Sequence, residues 1–165
     1  MDKYIHLAKV LGMEDALLIG PNDICFDSRA LLKCLWGCEE HTPGNVRCST
    51  RDSTLAERID MIKSYHNILL LHSHDATAIS SAVLEIERKA FLDGYYFAFG
   101  MRGCNLCKEC GAKKSQPCPT PKKIRPCESS FGIDVYKTVR KLGLPCEVLQ
   151  NKTDVPNRYG FVFID

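Results

Sequence analysis

Four cysteines spaced Cys104-x2-Cys107-x2-Cys110-x7-Cys118, the last followed by Pro119, constrain this chain more than any other feature. Two-residue gaps let a tight loop turn successive thiolates toward one centre. A more distant Cys, commonly followed by Pro, then closes the set, which is the ligand logic of a four-iron, four-sulfur cluster. Gly103 and Gly111 flank the run and let backbone N–H groups come close to sulfur. In small ferredoxins the fourth Cys of such a run comes sooner and serves a second cluster. Here the longer gap lets Cys118 return to the same one, with Cys127 as the alternative fourth ligand. Zinc is the rival metal, but its tetrahedral sites usually pair one Cys-x2-Cys with a second pair elsewhere, so a third Cys three positions on suits it less.

The surrounding segment, 101–130, supports a metal in its own way. It carries Arg102, Lys108, Lys113, Lys114, Lys122, Lys123 and Arg125 against Glu109 and Glu128, with four prolines and few large apolar residues. Such a stretch cannot offset its ordering entropy by burial, so something other than hydrophobic packing organises it.

A second group, Cys34-x3-Cys38-x9-Cys48, begins near the end of a short helix starting at Ser28. Residues four apart share a helix face, so Cys34 and Cys38 point at one centre while Gly37 turns the chain away. Three thiolates without a fourth would leave one iron of a cluster open to substrate, water or an external ligand; alternatively these are small buried residues beside Leu31, Leu35 and Trp36. His41 is a candidate fourth ligand. His72 and His74 share one face of a strand end and are candidates for metal binding or proton transfer, set against a role as a polar strand terminus. Cys25 and Cys146 have no Cys nearby and read as core or strand residues.

The 165-residue chain is 45% hydrophobic and 25% charged with a net charge of +2, so it is long enough for one core and is neither a disordered tail nor a globally basic nucleic-acid binder. No apolar run approaches the roughly 18 residues needed to cross a bilayer, and residues 1–20 mix charges among their apolar positions, unlike a secretory signal. The expectation is a cytoplasmic protein. Ten cysteines in that setting point to metal more than to disulfides.

Periodicity predicts helices over 3–11, 54–64 (Thr54-x-x-Glu57 capping box), 76–92 and 133–142, and strands over 16–19, 67–72, 95–99, 147–150 and 159–164. The continuous run Ile68-Leu-Leu-Leu71 reads as a strand buried on both faces. The strand, helix and strand across 67–99 suggest a parallel crossover. The expected fold is one α/β domain over 1–165, a mostly parallel or mixed sheet flanked by helices, with a Cys-rich insertion at 101–130.

With these cysteines in place, the chain resembles a family of predicted metal-binding proteins, domain-of-unknown-function family 2284. The most specific part is Phe97-Ala-Phe-Gly100 before Cys104-Asn-Leu-Cys107-Lys-Glu-Cys110, then Pro117-Cys118, Arg125-Pro126 and Phe131-Gly-Ile-Asp134-Val-Tyr-Lys137. The resemblance implies a small cytoplasmic protein of bacteria and archaea, often anaerobic, with Cys-bound metal presumed to be iron–sulfur. It does not name a reaction. The chain departs from the family pattern in two places: Ser49-Thr50 follows Cys48 where prolines are usual, and Cys127 stands where a small or polar residue is more common.

Two functions follow as expectations. In the first, Cys104, Cys107, Cys110 and Cys118 hold a cluster for electron transfer, and the Cys34, Cys38 and Cys48 site either receives electrons or performs redox or sulfur chemistry at an open iron. No phosphate-binding glycine motif is present, so electrons would come from a partner protein. In the second, a zinc-stabilised module contacts RNA or an acidic protein through the basic 101–130 segment. Tyr and Phe, which stack on bases, are absent from that segment until Phe131, so this module ranks behind the iron–sulfur readings.

Overall fold

Ile68, Leu69, Leu70 and Leu71 lie in strand β2 (Ile68–Ser73), every residue of which is buried. The computed structural model describes residues 1–38, 46–48, 52–114 and 116–165. In it β2 belongs to a four-stranded sheet of order β1, β2, β4, β3, where β1 is Asp15–Ile19, β3 Phe99–Met101 and β4 Arg158–Phe163. Five helices accompany it: α1 (Asp2–Val10), α2 (Arg29–Trp36), α3 (Leu55–Lys63), α4 (Ala76–Leu92) and α5 (Val135–Lys141).

Strand alternation divides the core into two layers. Leu69, Leu71 and Val162 pack with Tyr4 and Ala8 of α1 and Ile79, Val83 and Ile86 of α4. Ile68, Leu70, Phe161 and Phe163 pack on the opposite side with Ile62 of α3 and Val139 of α5. Helices therefore cover both faces, which is why β2 has no polar side to show. The Thr54 capping box forms as expected: Thr54 Oγ1 accepts from Glu57 N at 3.2 Å and Glu57 Oε2 accepts from Thr54 N at 2.7 Å.

The sheet is antiparallel throughout, which corrects the expectation of a mostly parallel or mixed sheet. Strands β2 and β3, joined across α4, do run in the same direction, since each is antiparallel to β4. They do not pair, because β4 from the end of the chain lies between them and takes their hydrogen bonds. The βαβ unit is split, and nothing local in 67–99 records the insertion.

Two predicted strands also differ. Of residues 95–99 only Phe99 is in β3; Gly94, at φ +101°, starts a turn that leaves Tyr96 and Phe97 exposed. Residues 147–150 are an exposed loop in which the Asp154 carboxylate accepts from Gln150 N at 2.7 Å and Asn151 N at 2.9 Å, replacing strand partners.

Helix α4 lies unusually close to the sheet edge. A Cβ on Gly100 would stand 2.5 Å from Val83 Cγ1 and 2.7 Å from Glu87 Oε2, so only glycine fits. No helix among the described residues is long and apolar enough to cross a membrane.

Candidate metal centre

The upstream thiols are positioned by a short bridge. Phe26 pairs with Ile133, and Asp27 N donates to Gly132 O while Asp134 N donates to Cys25 O, each at 2.8 Å. This clamps the start of α2 against the tight turn Glu128–Phe131, which begins just after Cys127. Gly132 ends that turn at φ +71°, where a Cβ would also meet Leu55 Cδ1 at 2.9 Å. From the other side buried Arg58 of α3 donates to Ser130 O and, at 2.8 Å, to Ser53 O. The turn is held from both sides.

The consequence is a contact that spacing did not indicate: Cys127 stands within hydrogen-bonding reach of Cys34, and Cys38 and Cys48 lie near enough to Cys34 to act on its charge. A shared proton sets the two thiols apart. Hydrogen bonding to Cys127 is the main cause raising the Cys34 thiol pKa, and the bond donated by Cys34 is the main cause lowering that of Cys127. Cys127, an alternative for the downstream run on spacing alone, thus belongs with the upstream group. His41 lies outside the described residues.

The downstream thiols share one space. Cys104, Cys107, Cys110 and Cys118 all line a cavity of about 190 Å³, with Arg47, Leu106 and Ile124 among its other walls. Cys107 is exposed and the other three are half-buried. Lys113 N donates to Cys110 O at 3.2 Å and Gln116 N to Gly111 O at 2.9 Å, folding the loop back between Cys110 and Cys118. The loop is fastened to α4 by Arg125, whose Nε and Nη2 donate to the Glu87 carboxylate at 2.7 and 2.5 Å. Glu87 also accepts from Gly100 N at 2.8 Å.

The two cysteine groups abut. Arg47, the residue before Cys48, donates from Nη2 to Cys104 O at 2.6 Å, and a Cβ built on Gly103 would be 3.5 Å from Cys127 Cβ.

None of the ten cysteines forms a disulfide, so all eight thiols of the two groups retain ligand chemistry. A void of 190 Å³ is several times the roughly 30 Å³ share of a water, larger than one ion needs. Among the described residues, no three or more His, Cys, Asp or Glu side chains converge to hold a single metal ion. The four downstream thiols line one chamber, and thiolate is the donor type that a Cys-bound metal takes.

Behind both groups lies a larger cleft of about 840 Å³, lined by Lys33, Arg102, Glu128, Cys146, Asn157 and Tyr159 among others. Lys33 precedes Cys34 and Glu128 follows Cys127. Burial raises the Glu128 pKa to about 7 despite Arg102 Nη1 at 3.7 Å, and Arg102 Nε and Glu128 Oε1 are buried without hydrogen-bond partners. Neither histidine lines this cleft or the thiol chamber; they contact Pro156, Asn157 and Tyr159 of the cleft wall. His72 is buried, with Nδ1 2.7 Å from Asp15 Oδ2 and Nε2 2.9 Å from Asn157 Oδ1, and it stacks on Tyr159 at 4.8 Å. His74 is exposed and donates to Pro156 O at 3.2 Å. Cys25 is bound through its backbone N–H to Thr138 Oγ1 at 3.0 Å, and neither it nor Cys146 joins a thiol group.

A family model described as predicted metal-binding protein (DUF2284) matches residues 17–164. No curated protein and no solved structure matches the chain.

Proposed function

The chain belongs to the DUF2284 family of predicted metal-binding proteins, and from that premise we propose that it is a cytoplasmic electron-transfer protein holding two iron–sulfur clusters side by side. Cys104, Cys107, Cys110 and Cys118 hold one; Cys34, Cys38, Cys48 and Cys127 hold the other. The observation that carries this reading is the single chamber lined by all four thiols of the downstream run. Such clusters supply one-electron storage and transfer.

The chain's own residues do the rest. Arg47 ties Cys104 to the backbone beside Cys48, which keeps the two thiol groups in contact. Arg125 and Glu87 hold the downstream loop on α4, fixing the chamber before metal arrives. Arg102 and the lysines of 108–123 offset the negative charge of thiolates, which favours the reduced state of whatever they bind. A fourth thiolate from Cys127 favours electron transfer at the upstream group over chemistry at an open iron. The adjoining cleft leaves room for a small molecule, with Arg102, Asn157 and Tyr159 in its wall.

The test is anaerobic purification followed by iron, acid-labile sulfide and zinc analysis. About eight irons and eight sulfides per chain are expected for two four-iron clusters. Colourless protein with stoichiometric zinc overturns the reading.

A further inference from the structure

The cysteine loop presents one thiol to solvent and surrounds it with cations. Cys107 is the exposed member of its set, and Lys108, Lys113, Lys114, Lys122 and Lys123 are all exposed around the same loop. Beside it runs a groove of about 630 Å³ whose walls include Cys107, Pro119, Lys122, Lys123 and Arg125 on one side and Glu85, Glu87 and Arg88 of α4 on the other.

Charge accounting decides what such a face attracts. Its cations are Arg88, Lys108, Lys113, Lys114, Lys122, Lys123 and Arg125; its carboxylates are Glu85, Glu87 and Glu109. Each carboxylate is already matched: Glu87 by Arg125 at 2.5 Å, Glu109 by Lys114 at 2.6 Å and Glu85 by Arg88 at 3.9 Å. Among the described residues that leaves Lys108, Lys122 and Lys123 in surplus on a chain whose total net charge is only +2. Thiolates and sulfide in the chamber would offset part of this, but the lysine stems carry their charge outward into solvent. Concentrated positive charge steers an oppositely charged partner and fixes its orientation more than it adds affinity.

We propose that this lysine-ringed face around Cys107 is the docking surface for a small acidic electron-carrier protein. Its purpose rests on the two-cluster reading, while its existence as a surface does not. The partner delivers one electron at Cys107, the exposed edge of the downstream chamber, and is itself oxidised by one electron. Short 3-10 turns at Gly111–Lys114 and Pro121–Lys123, with Pro117, Pro119 and Pro121 restricting the backbone, keep the face in shape. A single-stranded RNA would need aromatic platforms, and the segment from Cys104 to Arg125 has none, which sets a protein ahead of nucleic acid.

The experiment uses the full chain, an acidic plant-type ferredoxin as probe, and a basic cytochrome c and a single-stranded RNA oligonucleotide as comparisons. Binding is followed by calorimetry at low and moderate salt, with iron content measured on the same samples. The expected result is ferredoxin binding that weakens about tenfold on adding salt and again about tenfold in Lys122→Glu/Lys123→Glu. A control with the same charge change at exposed positions elsewhere, Lys9→Glu/Lys152→Glu, binds as the parent does. Equal binding by both double variants, a preference for cytochrome c, or tighter binding of RNA overturns the proposal. Iron-loaded protein that ignores ferredoxin removes the docking surface alone. Zinc protein that still binds it removes the redox reading alone.

Discussion

Cys127 stands within hydrogen-bonding reach of Cys34, although α3, β2, α4 and β3 all lie between them in the chain. If these thiols belong to one cluster, Cys127→Ser removes about four of about eight irons and leaves the downstream set loaded. Cys146→Ser, outside both groups, leaves the iron count unchanged. Equal iron in the parent and Cys127→Ser would detach Cys127 from the site; far-ultraviolet circular dichroism checks that both variants are folded.

Gly100→Ala tests the contact between α4 and the sheet edge. The new methyl would lie 2.5 Å from Val83 Cγ1, so the helix has to move. Overpacking of this kind costs about 1–3 kcal/mol, and shortening the obstacle with Val83→Ala in the same chain recovers part of it. Urea denaturation of the single and double variants gives the answer, and an unaltered midpoint for Gly100→Ala would contradict the packing.

Glu87 joins β3, α4 and the cysteine loop through Gly100 N and Arg125, with both charged side chains more than four-fifths buried. Glu87→Ala strands the Arg125 guanidinium in that setting, at a cost of about 2–4 kcal/mol discounted from a fully buried pair. Limited proteolysis without metal should then cut within 104–125 sooner than in the parent chain.

Asp93 anchors α1 to the end of α4, accepting from Lys3 Nζ at 2.8 Å and Tyr4 Oη at 3.0 Å, with Lys89 also bound. These bonds, that from Lys3 foremost, hold its carboxyl well below the ordinary range. The sign follows: the contribution is complete above the unfolded Asp value of about 3.9 and fades as pH falls toward the lower folded value. Asp93→Asn is therefore less stable at neutral pH but loses less between about pH 5 and pH 2 than the parent does. Denaturation midpoints across that window provide the check; parallel curves would contradict the linkage.

Local patterns were legible wherever the determining residues are close in sequence. Thr54 and Glu57 announce α3, and the apolar run 68–71 announces a strand covered on both sides. The Cys104 to Cys118 spacing implies thiols around one space. What was not legible depends on distant segments. The direction of β2 and β3 is visible in 67–99, but whether they pair is decided by β4, which arrives from 158–163. Cys127 lies nearer in sequence to Cys118 than to Cys34, and the bridge and hydrogen bonds that join 25–27 to 132–134 bring it to the upstream group. The aromatic run at 95–97 imitates a strand because its apolar content is high, yet the turn at Gly94 keeps Tyr95 against the core and leaves Tyr96 and Phe97 in solvent.

Electron paramagnetic resonance of the fully reduced protein tests the central claim most directly. Two clusters whose ligand loops touch at Gly103 and Cys127 predict about two spins per chain in a broadened, mutually coupled signal, which sharpens to a single uncoupled species in Cys127→Ser. A silent spectrum from protein carrying zinc, or one sharp signal identical in parent and variant, would contradict it.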